Sequence, residues 1–440
     1  MTSCGRSPFS VLQSFLIAGM LLSASQLNAL TISCPSDASI VEKQAAKEVR
    51  RYIFLRTGTA PEIRMADKYA NLPSGDVIVV AANARSIVTE LKAEYGNVDA
   101  PSSDHRMGYI IKSISKDGRN ILVITGADTY TTLTAAYRYA ELLGCYFNLV
   151  GDAIPDKKLA YPLNISGYDE KAQPWFELRG CIPFHIFTAG PDCWNTADYV
   201  SFITQQAKMG LNFFGLHYYN KSGFPGSQEG PEPHLWIGHK NDVKPDGSVK
   251  PEGAYKSYWA SSFRHGHEPG PIWGASPISM SKFTNGTNKL FAHDYFASDA
   301  IGSKEPSTPE EMAANFNNVG RLLNTAFTHA KQLGVKTALG TETPMGATGS
   351  IGAERAQRNA RNLLDLVNKM KQGKEWEGNA DDLFLTIFTC PPEVQARMRD
   401  VHGYAVPTGR GETNEAFSKA LYEGMFTKIM RTHPLDYFWL

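Results

Sequence analysis

Glu342 is the residue whose position in the sequence most suggests catalysis. A helical pattern closes at Gly334, a short β-rich run from Val335 to Leu339 follows, and Glu342 comes just after it. Glycine is common just past a helix end, and Pro344 breaks regular structure after the acid. Helix, glycine, buried strand, acid and loop are typical of one step of a (β/α) barrel, whose strand carboxyl ends carry the chemistry. Glu342 is therefore a candidate for proton transfer; a helix cap or a lysine ion pair is the alternative.

The composition describes a folded chain with balanced charge. The 440 residues suffice for two or three domains, and 44 Lys+Arg are matched by 44 Asp+Glu. This balance gives no excess of positive charge to support a nucleic-acid partner. The cysteines after Ala29 form an odd, scattered set, which indicates free buried thiols instead of a disulfide framework. A pair between Cys181 and Cys193 is the alternative.

The amino terminus has the features of a secretory signal. Arg6 precedes a short apolar run, Val11 to Leu22, and Leu27-Asn28-Ala29 offers a cleavage site. The apolar run is too short to span a membrane with flanks, and we find no other candidate span. We therefore predict that residues 1–29 are removed and that the protein is exported to the periplasm or outside the cell.

Residues 30–155 predict one small α/β domain. The elements expected there are a helix capped by Asp37 or Ser39 and ending at Arg56, an apolar strand at Asp76 to Ala81, a helix near Ser86 to Tyr95, a hairpin from Gly108 to Thr125 and a helix from Thr129 to Leu143. Residues 156–175 contain prolines and little periodicity, so we predict a linker there.

Residues 176–440 show repeated strand–helix alternation. The strands expected are Phe176–Ile182 with Arg179 near its carboxyl end, Leu211–Tyr219, Val335–Leu339 and the terminal Leu435–Leu440, and the helices are Ala197–Met209, Pro309–Leu333 opened by a capping box at Thr308, Ala353–Met370 and Phe417–Met430. A further strand-like run, residues 382–388, fits an insertion. A closed barrel needs eight β/α steps, and four or five are found. The predicted fold is thus a small α/β domain followed by an incomplete (β/α)8 TIM-type barrel.

Residues 220–307 form a long aperiodic stretch rich in Gly, Pro, Ser, His and Trp. Such a stretch is typical of an active-site insertion or of partial disorder. Its large aromatic residues either line sugar subsites or pack the loop: Trp236, Trp259, Trp273 and Tyr295. His265-Gly-His267-Glu268 raises the question of a metal site, but it lacks a clear third ligand. We expect no metal and no cofactor.

Two stretches carry a resemblance to known glycosidases. Ile124–Tyr130 and Ala135–Phe147 resemble the non-catalytic N-terminal domain of α-glucuronidases and of glycoside hydrolase family 20 hexosaminidases. The Arg179-Gly180 pair, and the helix ending at Met209-Gly210 before an Asn-bearing strand, resemble the start of their catalytic barrels. The resemblance implies a sugar-binding role for Arg179. Those families place an acid soon after the Arg-Gly pair, whereas Ile182-Pro-Phe-His185 follows here.

These observations favour an exported glycoside hydrolase-like protein that acts on polysaccharide-derived glycosides of uronic acid or hexosamine. Glycoside cleavage needs two carboxyl groups, one of them a general acid. Glu342 is our candidate for that acid, and its partner is to be sought among Asp294, Glu268 and Asp436. The substrate is expected to contact Arg179, His217, Tyr218 and Trp273. The alternative is a catalytically inactive carbohydrate-binding or scaffold protein, or a fragment of a larger hydrolase.

Overall fold

A computed structural model of the chain describes residues 30–116, 118–183, 191, 194–218, 232–257, 306–340, 352–378, 383, 390–407 and 414–439. These residues divide into two compact units. The first contains the residues up to Arg179 together with Thr204–Asn212 and Gln332–Gly334, and the second contains the rest. The signal peptide predicted for residues 1–29 lies outside the described residues.

The secondary structure alternates strands and helices in both units. The strands are β1 Thr31–Cys34, β2 Glu62–Met65, β3 Val77–Val80, β4 Ser102–Ser103, β5 Arg106–Met107, β6 Tyr109–Lys116, β7 Arg119–Gly126, β8 Tyr146–Asn148, β9 Gly151–Ala153, β10 Asp169–Ala172, β11 Gly180–Cys181, β12 Phe213–His217, β13 Lys336–Gly340 and β14 Tyr437–Trp439. The helices are α1 Ile40–Thr57, α2 Ser86–Tyr95, α3 Thr129–Leu142, α4 Thr196–Lys208, α5 Pro309–Gln332, α6 Gly352–Lys371, α7 Pro392–Asp400 and α8 Glu415–Thr432. The predicted mixed α/β class is confirmed.

The first unit is built on a six-stranded mixed sheet in the order β10-β6-β7-β3-β1-β2. Strands β2, β1, β3 and β7 are parallel, while β6 and β10 run antiparallel to their neighbours. Every residue of β3 is buried, because Ile78 and Val80 pack with residues of α1 and α3 while Val77 and Val79 pack with residues of α2. A strand covered on both faces is expected to have an unbroken apolar sequence.

The helix starts follow from their capping residues. Ser39 is the N-cap of α1, and its side chain and that of Glu42 form a capping box. Asp128 and Thr131 form the corresponding box at α3. These side chains satisfy backbone N–H groups that have no partner within the first helical turn. Of the two caps predicted for α1, Ser39 is the one that is used.

The linker predicted for residues 156–175 contains a strand, so this prediction is corrected. Strand β10 adds to β6 at the edge of the sheet and belongs to the first unit. Its sequence is Asp-Glu-Lys-Ala, which has no apolar alternation. Ionic contacts hold it instead: Lys112 Nζ lies 2.6 Å from Asp169 Oδ2, and Arg138 Nε lies 2.6 Å from Glu170 Oε1. Charge pairing of this kind leaves no periodic signal in the sequence.

The second unit contains a four-stranded parallel sheet in the chain order β11-β12-β13-β14. Successive parallel strands joined by helices are the arrangement of consecutive β/α steps. The described residues do not show a closed barrel. Helix α5 begins as predicted, since Thr308 Oγ1 accepts from the Glu311 N–H, but the Glu311 carboxylate accepts from Ser307 instead of returning to Thr308.

Two further sequence expectations are tested by the described residues. Cys34, Cys145, Cys181 and Cys390 are free thiols, as predicted, and Cys193 lies outside the described part. No helix in the described ranges is long and apolar enough to cross a membrane. The strand-like run at residues 382–388 falls, except for Leu383, outside those ranges.

Candidate functional site

The carboxyl end of the parallel sheet brings three residues into one row. His217 is aligned with Gly340, and Gly340 with Trp439, across β12, β13 and β14. The Trp439 indole lies directly over Gly340, because a Cβ added at Gly340 would overlap the indole ring. The indole thereby reaches His217, with 5.0 Å between the two ring centroids. Glycine at the end of β13 therefore makes room for this aromatic surface.

Tyr218 directly follows the last residue of β12. Its backbone N–H donates to Gly340 O at 3.0 Å. Its hydroxyl lies 2.7 Å from the Tyr199 hydroxyl, which in turn lies 2.5 Å from Pro191 O. A carbonyl only accepts, so the single proton of Tyr199 goes to Pro191, and Tyr218 must be the donor to Tyr199. The hydroxyl proton of Tyr218 is therefore engaged by Tyr199.

His234 stacks on Tyr218. The two ring centroids are 3.7 Å apart and the ring planes differ by 8°. Both side chains are buried. Stacking of this kind positions the imidazole beside the strand end although His234 comes from the long stretch after β12.

The segment that carries His234, residues 232–257, is held by its own contacts and by α5. Trp236 Nε1 donates to Gly253 O at 3.0 Å, and the Ile237 N–H donates to Tyr255 Oη at 3.0 Å. The Val249 N–H donates to the Asn317 side chain of α5 at 2.8 Å. Trp236 is therefore a core residue of this segment, which decides between the two interpretations offered for it.

Arg179 occupies a different position from the predicted one. Strand β11 begins at Gly180, so Arg179 precedes the strand instead of lying near its carboxyl end. Its guanidinium donates to the carbonyls of Phe176, Glu177 and Gly210 at 2.7 to 3.3 Å. Burial lowers the pKa of Arg179. These contacts hold the loop before β11 and engage all three nitrogens of the guanidinium group.

Asp436 lies at the amino end of the parallel strands. Its carboxylate accepts from the Thr337 N–H at 2.9 Å, and Lys331 and Lys336 lie 3.4 and 3.6 Å away. Thr337 is near the start of β13, whereas His217 and Trp439 are at strand ends. Asp436 is therefore removed from the candidates for the second carboxyl group.

The other predicted site residues fall outside the described residues: Glu342, Trp273, Glu268, Asp294, Trp259, Tyr295, His265 and His267. Glu342 follows the end of β13 by two residues. Within the described part, no group of three or more His, Cys, Asp or Glu residues could hold a metal ion.

The sequence placed His217 and Tyr218 at the end of a strand, as the structure does, but it gave no site prediction for two of their neighbours, Trp439 and His234. The sequence predicts only a buried strand around Trp439. Its position at the end of that strand was the signal that could have marked it as a site residue. His234 left no signal, because its stacking on Tyr218 joins parts of the chain without shared periodicity. Glu232 is a further buried carboxylate, two residues before His234 in the sequence.

Comparison with known proteins adds little. No family model matches the chain, and no curated protein sequence matches it. Among solved structures, the chain is similar to a GH138 enzyme targeting pectin rhamnogalacturonan II, with a TM-score of 0.31 and 10% identity over 71% of this chain. The chain covers 24% of that enzyme. A likeness this distant carries no argument about activity.

Proposed function

We propose that this protein is an exported glycoside hydrolase-like protein that acts on glycosides of uronic acid or hexosamine derived from polysaccharides. The observation that carries the proposal is the surface at the carboxyl end of the parallel sheet, where the rings of Trp439 and His217 lie 5.0 Å apart. Aromatic faces stack on sugar rings, and strand carboxyl ends are where barrel enzymes place their chemistry.

Glu342 is the proposed general acid. It follows β13 by two residues, so the chain can bring its carboxyl group to the strand end that carries Gly340. A glycosidase needs a second carboxyl group across the scissile bond. Glu232 is our proposal for that group, since it is buried and lies two residues before His234. His217 and Tyr218, at the end of β12, would orient the sugar hydroxyls.

The test is turnover of chromogenic uronides and hexosaminides by the wild-type chain, Glu342→Gln and Glu232→Gln. Glutamine keeps the shape of the side chain and removes the acidic proton. Loss of general-acid catalysis should reduce the rate about 10²- to 10⁴-fold. The melting temperature should change little. The control is Glu375→Gln, an exposed glutamate outside the site, which should keep full activity. Full activity of Glu342→Gln would remove Glu342 from the mechanism.

The second candidate is a catalytically inactive carbohydrate-binding protein. The observation that favours it is the identity of the strand ends, which are Cys181, His217, Gly340 and Trp439 and include no acid. Polysaccharide binding without turnover on any chromogenic substrate would support this candidate.

The export component of the proposal has its own test. Amino-terminal sequencing of secreted material should give a sequence that begins at Leu30.

A further inference from the structure

Four side chains of the second unit join residues 232–257 to α7 and the residues after it: His239, Asp242, Arg397 and His402, here called the imidazole clamp. Arg397 donates from Nε and Nη2 to the two oxygens of Asp242 at 2.8 and 2.6 Å. His402 Nε2 lies 3.0 Å from Asp242 Oδ2. Burial opposes ionisation of Asp242, but these hydrogen bonds outweigh it and lower the pKa of the carboxyl group. His402 Nε2 therefore donates to a carboxylate.

His239 completes the clamp as a neutral ring. It stacks on His402 with 4.0 Å between ring centroids and 28° between planes. Its Nδ1 accepts from the Asn241 N–H at 3.3 Å and so caps the 3-10 turn Lys240–Asp242. The acceptor nitrogen carries no proton, so the ring proton is on Nε2, which lies 3.4 Å from Tyr404 Oη. One tautomer of the neutral imidazole satisfies both contacts.

A second proton on His239 would disrupt this arrangement in two ways. It would occupy Nδ1 and leave the Asn241 N–H without its acceptor. It would also place a positive charge against the His402 ring in a buried site, since His239 is 7% exposed. The Asp242 carboxylate is already shared between Arg397 and His402 and has little capacity for a third cation.

The charged and titratable groups that face His239 come from every element around it. They are Lys240 and Asp242 on the 3-10 turn, Glu423 on α8, Arg397 on α7, and His402 and Tyr404 after α7. Glu252 and Glu393 line the same cavity as His239. Burial lowers the pKa of His239, and His402 and Lys240 lower it further. Asp242 and Glu423 act in the opposite direction without reversing the shift. Glu423 is itself paired with Lys240 at 2.8 Å.

We propose that the imidazole clamp is a pH-sensitive latch, which holds the turn at residues 239–243 against α7 at neutral pH and releases it in mildly acidic solution. The turn that presents Asp242 depends on the neutral His239 cap, and the Lys250 N–H donates to Asp242 O at 2.8 Å. Loss of the cap therefore loosens both the turn and the bond to Arg397.

The direction of the pH effect follows from linkage. In the released state His239 is solvated and has an ordinary pKa of about 6.5. The closed state holds the lower pKa, so the released state binds more protons in acid. The stability of the closed clamp is fully present above about pH 6.5 and decreases as the pH falls toward the closed-state pKa.

Hydrogen–deuterium exchange of the full chain tests the latch. Rates are normalised to the intrinsic chemical exchange rate at each pH. Because one proton is bound on opening and the released-state pKa is about 6.5, the protection of the turn at residues 239–243 should fall by up to about 5-fold between pH 6.5 and 5.5. His239→Asn supplies an amide oxygen that caps the turn and does not titrate, so this variant should keep its protection in acid.

The matched control is His105→Asn, an exposed histidine at φ 62°, a left-handed position that asparagine tolerates. It should show the wild-type response. Equal loss of protection in wild type and His239→Asn, or no loss in wild type, overturns the proposal. If His239→Asn does not fold, NMR titration of the wild type decides. An ordinary titration of His239 that leaves the Asn241 amide unmoved would also overturn it.

Discussion

Replacement of Lys428 by methionine should stabilise the protein. Lys428 is on α8 and is 5% exposed. Its amine donates to Phe316 O on α5 at 3.3 Å, and among the described residues no carboxylate pairs with it. Burial lowers its pKa to about 8, and it lies near His433, whose pKa burial lowers to about 3. A lysine in this site is charged at pH 7 at the expense of stability.

The size of the effect follows from the pKa shift. A fall from 10.5 to about 8 corresponds to roughly 3 kcal/mol of penalty on the charged form. Methionine has a similar length and no charge, but it gives up the hydrogen bond to Phe316, which contributes about 1 kcal/mol. The net gain at pH 7 should be about 2 kcal/mol.

The pH dependence of stability shows whether Lys428→Met stabilises the protein by removing a buried charge or by improving the packing. The unfolded chain holds the lysine proton up to about pH 10.5, and the folded chain releases it near pH 8. The unfolded state binds more protons in this window, so wild-type stability should rise with pH, by about 2 kcal/mol between pH 7 and 9.5. Buried tyrosines with raised pKa, such as Tyr422, act in the opposite direction near pH 10.

Urea denaturation of wild type and Lys428→Met at pH 7, 8 and 9.5 measures the difference directly. The advantage of Lys428→Met should shrink as the pH rises, because only the wild type gains stability through this lysine. Lys371→Met, at the exposed end of α6, is the control and should stay within about 0.5 kcal/mol of wild type at every pH. A constant advantage from pH 7 to 9.5, or a loss of stability at pH 7, would refute the reasoning.

Gly340→Ala should cost about 1–3 kcal/mol and shift tryptophan fluorescence, because the new methyl group overlaps the Trp439 indole; unchanged emission and stability would contradict the packing described for β13. Arg179→Ala should cost about 2–3 kcal/mol, because it removes the hydrogen bonds to Phe176, Glu177 and Gly210. Arg179→Lys should be intermediate, and weaker polysaccharide binding at full stability would restore the ligand role for Arg179.

The sequence predicted the elements that depend on local signals. The buried strand β3, the β6–β7 hairpin and helices α3, α5 and α8 lie within a few residues of their predicted bounds. In each case an apolar period or a cap marks the element. Helix α7 and strand β10 were missed, because one is a short polar helix and the other is an edge strand held by Lys112 and Arg138.

The sequence predicted which residues of the candidate site lie at a strand end, but it did not predict the contacts between distant parts of the chain. His217 and Tyr218 end a recognisable strand, so their place at the sheet edge followed from the pattern. His234 reaches that edge by stacking, and the Trp439 surface exists only because residue 340 is glycine. Neither contact has a sequence period, and the Trp439 surface appears only when β12, β13 and β14 are set side by side.

The direction of the parallel strands shows at which end of the sheet a charged residue of the second unit lies. Asp436 binds the Thr337 N–H near the start of β13, so its charge serves the amino end of the sheet. Enzymes built from β/α steps place their catalytic groups at the opposite, carboxyl end of the strands, so Asp436 does not fit the proposed second carboxyl group. Glu342 after β13 and Glu232, two residues before His234, are the pair that we propose, and Glu268 and Asp294 lie outside the described residues. A rate loss in Glu342→Gln without one in Glu232→Gln would keep the general acid and move the second carboxyl group elsewhere in the chain.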